Sequence, residues 1–114
     1  MSELASQTCK ACQGGVEPYT GEKLEKHMNK IDEEWNQEEE HHIKREFEFE
    51  DFQEALDFVN DVGSIAEDQG HHPNINFTWG EAEIKLYTHK IDGLFQADFV
   101  MAAKIDKLYR EDYS

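Results

Sequence analysis

The chain has 114 residues, 38% hydrophobic and 11% aromatic, with 11 basic against 26 acidic side chains and a net charge of −15. That is one domain's worth of chain, with enough apolar material for a packed core. The acidity argues against broad contact with nucleic-acid phosphates or anionic membranes, no apolar run approaches a membrane span, no basic-then-apolar leader opens the sequence, and two cysteines cannot build a disulfide-rich scaffold, so a soluble cytoplasmic protein is expected.

Residues 1–18 read as a flexible tail, polar, containing Gly14 and Gly15 and ending at Pro18, and residues 19–114 as a single domain. Cys9-x-x-Cys12 lies in this tail, without the βαβ context of a redox pair or the second pair of a structural zinc site. An inert motif is expected there, with a weak metal or redox role as the other option. From Thr20, a suitable N-cap, Leu24, Met28, Ile31 and Trp35 recur at helical spacing. A short strand near Trp35 then leads through Glu38-Glu39-Glu40, read as a solvated hairpin turn, into a strand in which Ile43, Phe47 and Phe49 alternate with charged residues.

Asp51 can cap a second helix whose stripe is Phe52, Ala55, Leu56, Val59, Val62 and Ala66, with Gly70 as its stop. Ile75, Phe77 and Trp79 alternate in a third strand, with Trp79 expected in the core or a cleft wall. After a turn over Gly80–Ala82, Ile84, Leu86 and Thr88 alternate with Glu83, Lys85, Tyr87 and His89 in the returning strand. A last helix runs from Leu94 to about Tyr109, with Met101, Ile105 and Leu108 inward. The predicted order is α-β-β-α-β-β-α: an α+β domain with a four-stranded antiparallel sheet and helices packed on one face.

No phosphate-binding glycine loop and no G-x-S-x-G elbow is present. Histidine is the distinctive residue, with six in the chain. Pro73 forces His72 toward an extended conformation, so His71 and His72 sit at a helix-to-strand corner. The 83–90 strand ends beside the start of the 74–79 strand, which brings His89 near them. Three imidazoles in one cleft can exchange protons near neutral pH. Structural or merely exposed histidines and a three-histidine zinc site are the competing readings, and no H-E-x-x-H spacing favours the latter. His27, His41 and His42 are expected to be structural or exposed.

The stretch Glu67-x3-His71-His72-Pro73-x5-Trp79-x9-His89-x8-Asp98 resembles the signature of the pterin-4a-carbinolamine dehydratases. Phe47-x-Phe49-x2-Phe52, Ala66-Glu67, Thr88-His89 and Gly93-Leu94 are similar as well, and the likeness runs from about residue 20 to 109. The Cys9-x-x-Cys12-x-Gly14-Gly15 leader looks like that of many microbial members. The resemblance implies the same α+β fold, assembly into homo-dimers or homo-tetramers, and no metal or organic cofactor. It implies dehydration of 4a-hydroxytetrahydropterin to quinonoid dihydropterin, which recycles the cofactor of aromatic amino-acid hydroxylases. By the same resemblance His71 and His72 serve as acids near the departing hydroxyl and His89 as base or its partner. Glu67 and Asp98 orient imidazoles, and the segments Gly70, His71, His72, Pro73 and Tyr87, Thr88, His89, Lys90 bind the pterin edge. Animal members also serve as dimerisation cofactors of a homeodomain transcription factor. A non-catalytic pterin-binding or coactivator-like protein-interaction module is therefore the alternative, which the leader and the charge do not support. A role in molybdopterin-linked metabolism would keep the same histidines.

Overall fold

Helix α1 (Gly21–Met28) is the first regular element of the computed structural model, which describes residues 17–113. Thr20 precedes it in extended conformation but makes no side-chain cap. Leu24 is buried, whereas Ile31 and Trp35 reach the core from beyond the helix. The helical spacing of the apolar residues therefore spans two kinds of backbone. After Met28 the chain tightens through Lys30 N–H to His27 O and Ile31 N–H to Met28 O, the three-residue bonds that end a helix.

On this helix His27 donates its Nδ1–H to Lys23 O at 2.8 Å and packs on Tyr19 and Phe99, ring centroids 4.4 and 5.3 Å away. Burial lowers its pKa below the ordinary 6.5, against the pull of the Lys23 hydrogen bond. The unfolded chain then holds the proton more tightly. His27's contribution to stability is complete above 6.5 and is lost as pH falls through its lower folded value. The urea midpoint should drop between about pH 7 and pH 5, and His27→Phe, which keeps a ring but cannot titrate, should flatten part of that drop. An identical slope in the variant would refute this role.

Strands β1 (Asn36–Glu38) and β2 (His42–Glu48) form a hairpin in the register Asn36↔Lys44 and Glu38↔His42. The acidic run makes the turn, as expected: Glu39 and Glu40 both adopt left-handed backbone (φ 56), and His41 N–H donates to Glu38 O at 3.0 Å. Helix α2 (Phe52–Gln69) is capped by Asp51, whose carboxylate accepts Glu54 N–H at 2.8 Å. Its buried residues are Ala55, Phe58, Val62 and Ala66. Phe58, left out of the predicted stripe, is fully buried, while Phe52 is 46% exposed and stacks on Phe77 instead.

Strands β3 (Asn74–Thr78) and β4 (Glu81–Leu86) form the second hairpin, turning at Trp79–Gly80 with Gly80 at φ 77. Trp79 does not enter the core or a cleft wall. It sits in this two-residue turn, 68% exposed, because Gly80 ends the alternation that would have turned it inward. Helix α3 (Gln96–Asp112) completes the chain. The sheet order is β1-β2-β4-β3, antiparallel throughout. One face buries Ile43, Arg45, Phe47, Ala82, Ile84 and Leu86 under the helices. The other carries Lys44, Glu46, Glu83 and Lys85.

A buried ion pair stands within the covered face. Asp106 Oδ1 accepts from Arg45 Nη1 and from the Trp35 indole N–H, each at 2.7 Å, and its Oδ2 accepts Asp32 N–H at 3.1 Å. Burial nevertheless raises the pKa of Asp106, since desolvation outweighs these donors. This cluster pins the segment after α1 to both β2 and α3.

Candidate active site

Helix α2 stops at Gly70, which takes left-handed backbone (φ 66), and both Gly70 N–H and His71 N–H turn back to Ala66 O. That reversal sends His71 inward, 5% exposed, and leaves His72 outside. Pro73 then starts the chain into β3. His71 Nε2 lies 2.6 Å from Asp98 Oδ1. Asp98 is fully buried in the first turn of α3, and its Oδ2 accepts Thr88 Oγ1–H at 2.8 Å and Phe95 N–H at 3.0 Å. The last of these is the backward reach of a helix-capping carboxylate. With both carboxylate oxygens accepting, His71 Nε2 is the donor, so proton exchange by this ring is confined to Nδ1.

His72 Nε2 stands 2.5 Å from Glu67 Oε2, on the last turn of α2, and both side chains are exposed. The two orienting carboxylates inferred for this site thus each meet an imidazole: Asp98 meets His71 and Glu67 meets His72.

The third histidine does not lie on a strand. The predicted strand over 83–90 ends at Leu86, and His89–Ile91 form a short 3-10 turn. Thr88 pairs with Gly93 across its base, with Thr88 N–H to Gly93 O at 2.8 Å. Asp92, in left-handed backbone (φ 49), closes it with its N–H on His89 O. Gly93 is required by a close approach, since a Cβ there would stand 2.7 Å from Pro18 Cβ. The strand ends early because Thr88 spends its backbone on this turn and its hydroxyl on Asp98.

A cavity of about 270 Å³ is lined by Gly70, His71, His72, Thr88, His89 and Lys90. The structure brings all three histidines to its wall. Pro73 and Tyr87 are not among the lining residues, and Tyr87 packs on His89 instead. Sequence reasoning missed the roles of the Thr88 hydroxyl and Phe95 N–H as donors to Asp98. The signal was a hydroxyl at an inward strand position, where a buried polar group needs a partner. It also missed His41, whose imidazole touches Tyr87.

A larger groove, about 500 Å³, lies between α1 and the β1–β2 hairpin and contains no imidazole. Among the described residues no group of three His, Cys, Asp or Glu side chains could hold a metal ion, and no helix is long and apolar enough to cross a membrane. Cys9 and Cys12 lie outside the described residues. The arrangement can deliver and collect protons at one cavity: a buried imidazole locked by a carboxylate, an exposed one paired with another, and a third on a turn facing them.

The chain is similar to known proteins. Residues 17–108 match the family model of the pterin 4 alpha carbinolamine dehydratases. A proposed pterin-4-alpha-carbinolamine dehydratase of Rubrobacter xylanophilus is 56% identical over 108 residues, 95% of this chain and 100% of its own. Another, from Alkaliphilus metalliredigens, is 43% identical over 111 residues, 97% of this chain and 100% of its own. Among solved structures, a transcriptional coactivator/pterin dehydratase from Brucella melitensis superposes with a TM-score of 0.75 at 26% identity, over 80% of this chain and 97% of that one. Matched by that family model over residues 17–108 and 56% identical to one such relative over that relative's whole length, the chain belongs to the pterin 4 alpha carbinolamine dehydratase family.

Proposed function

We propose that the protein dehydrates a 4a-hydroxytetrahydropterin to the quinonoid dihydropterin by histidine acid–base catalysis. One observation carries this reading: His71, buried at the cavity wall and locked by Asp98, faces the same space as His72 and His89. The C4a–O bond breaks, the hydroxyl leaves as water with a proton from an imidazolium, and a neutral imidazole takes the proton from a pterin ring nitrogen. No electrons are exchanged with a second reactant, and no metal or organic cofactor enters the scheme. His71 and His72 are the acids and His89 the base or its partner. Main-chain groups along Gly70–His72 and Thr88–Lys90 meet the flat polar edge of the substrate.

A cytoplasmic setting and a homo-oligomer belong to the same reading. In support of the latter, β1 and β3 are the edges of the sheet, and unpaired edges favour self-association.

The test is direct. Chemically prepared 4a-hydroxytetrahydropterin is mixed with the protein and its ultraviolet decay is compared with the uncatalysed rate, with and without a chelator. Acceleration that survives the chelator is expected, and its absence would overturn the proposal. His72→Ala should lower turnover by about 10²- to 10⁴-fold, the range for removing a proton-transfer group, with little change in unfolding midpoint because the side chain is exposed. Wild-type turnover in that variant would remove His72 from the scheme.

A further inference from the structure

His71 and His72 are each held by a carboxylate, but His89 is exposed and stands on a turn of three residues. Among the described residues its ring takes no side-chain hydrogen bond. Its contact is a near-parallel stack on Tyr87, centroids 4.2 Å apart and planes 26° apart. Tyr87 in turn carries a second imidazole, that of His41, at 4.5 Å and 38°. Three rings thus run in series from the β1–β2 turn to the cavity, and only the last of them lines it.

His41 also reaches the other end of the same turn. Its Nε2 lies 2.7 Å from Asp92 Oδ1, and Asp92 is the left-handed residue that closes the turn on His89 O. The His41 ring is itself fixed from behind. Its Nδ1 meets His42 Nδ1 at 3.1 Å, and His42 Nε2 meets Glu38 Oε2 at 3.2 Å, an oxygen that Lys44 Nζ also approaches at 3.1 Å. A base that must stay within reach of one ring nitrogen gains from being held, because misplacement by about 1 Å can cost about 100-fold in rate.

We propose that His41 is a positioning residue for His89, acting through Tyr87 on the ring and through Asp92 on the turn that carries it. This rests on the reading of His89 as an acid–base group of a dehydratase. Tyr87 is the transmitting element, and its phenol hydroxyl takes no part.

The experiment measures dehydration kinetics together with the His89 ring-proton resonances by NMR. The His89 signals are assigned with His89→Gln, and folding is checked by the urea midpoint. Tyr87→Ser should lower kcat by about tenfold or more with KM changed by less than about threefold, and Tyr87→Phe should restore both. His41→Ala should lower kcat in the same direction, and His41→Phe, which keeps a ring on Tyr87, should recover part of it. The aromatic stack displaces the His89 ring signals, so they should move toward free imidazole in Tyr87→Ser. They should move in the same sense in His41→Ala, although His41 does not touch His89. Wild-type kcat and unmoved His89 signals in His41→Ala would overturn the proposal. If the unmodified protein shows no dehydration, the dehydratase reading fails, whereas the NMR comparison still decides whether His41 positions His89.

Discussion

Asp98→Asn should lower dehydration by about 10²- to 10⁴-fold, among the largest single-residue effects on turnover. The reason lies in hydrogen-bond accounting. Asp98 accepts at both oxygens, from His71 Nε2 on one side and from Thr88 Oγ1 and Phe95 N–H on the other. An amide has one accepting oxygen. Phe95 N–H can only donate, so that oxygen must face it, and the amide NH2 is left against His71 Nε2. His71 then has to accept at Nε2 and carry its proton on Nδ1, the tautomer opposite to the one the carboxylate selects. Shape is preserved, and the stability cost should be about 1–3 kcal/mol, the range for an imperfectly matched buried group. Steady-state rates, urea midpoints and the nitrogen chemical shifts of His71 together check this. A wild-type rate, or an unaltered His71 tautomer, would show that Asp98 serves only to cap α3.

Asp106→Ala should cost about 3–5 kcal/mol of stability, because it strands a guanidinium in the core. Arg45 Nη1 lies 2.7 Å from Asp106 Oδ1, and the remaining nearby carboxylate, Asp32, is 3.5 Å away. The Trp35 indole N–H and Asp32 N–H lose their acceptor in the same step. For a domain of this size each kcal/mol moves Tm by roughly 4–8 °C, so the fall should exceed about 10 °C. Far-UV circular dichroism during heating measures it. Asp106→Asn, which keeps an acceptor for Arg45 and Trp35, should cost less than the alanine variant. A loss below about 1 kcal/mol for alanine would mean that Arg45 finds compensation from Asp32 or water. Burial works against the ionised Asp106 carboxyl even with its donors in place. The consequence of the pair is specificity: it joins the loop before β1, strand β2 and helix α3 at one point.

Much of this molecule was legible in its sequence because its surfaces are two-sided. Alternation in 43–49 and 83–89 marks a sheet with one buried face, although β4 starts at Glu81, inside the expected Gly80–Ala82 turn, and ends at Leu86; the Asp51 and Gly70 signals bound α2 as observed. The resemblance singled out Glu67 and Asp98 as orienting carboxylates without saying which imidazole each would hold; the structure sets Glu67 against His72 and Asp98 against His71. What escaped was set by long-range contact. Ile31 and Trp35 continue a helical spacing, yet their backbone leaves the helix, because spacing records which side chains face the core and not how the chain gets them there. Trp79 keeps the alternation of β3 but falls one residue past its end. Arg45 and Asp106 are charged residues on otherwise apolar faces, 61 positions apart, and either alone reads as solvated. His41 looked like one more polar residue in an acidic turn. Its contact with Tyr87 depends on where the β2–β4 register places the end of β4, which no local pattern encodes.

The close fit of Gly93 against Pro18 has a mechanical meaning. Pro18 stands where the described chain enters the fold, and Tyr19 N–H anchors the next residue to Leu94 O at 2.6 Å. Gly93 is also half of the bridge at the base of the His89 turn. Tyr19 and Leu94 both belong to the core, so the entry of the chain is tied at once to the core and, through Gly93, to the bridge beneath the His89 turn. The entrance of the described chain and the third imidazole of the cavity therefore share one anchorage, and any side chain placed at 93 would have to displace either Pro18 or the turn that carries His89.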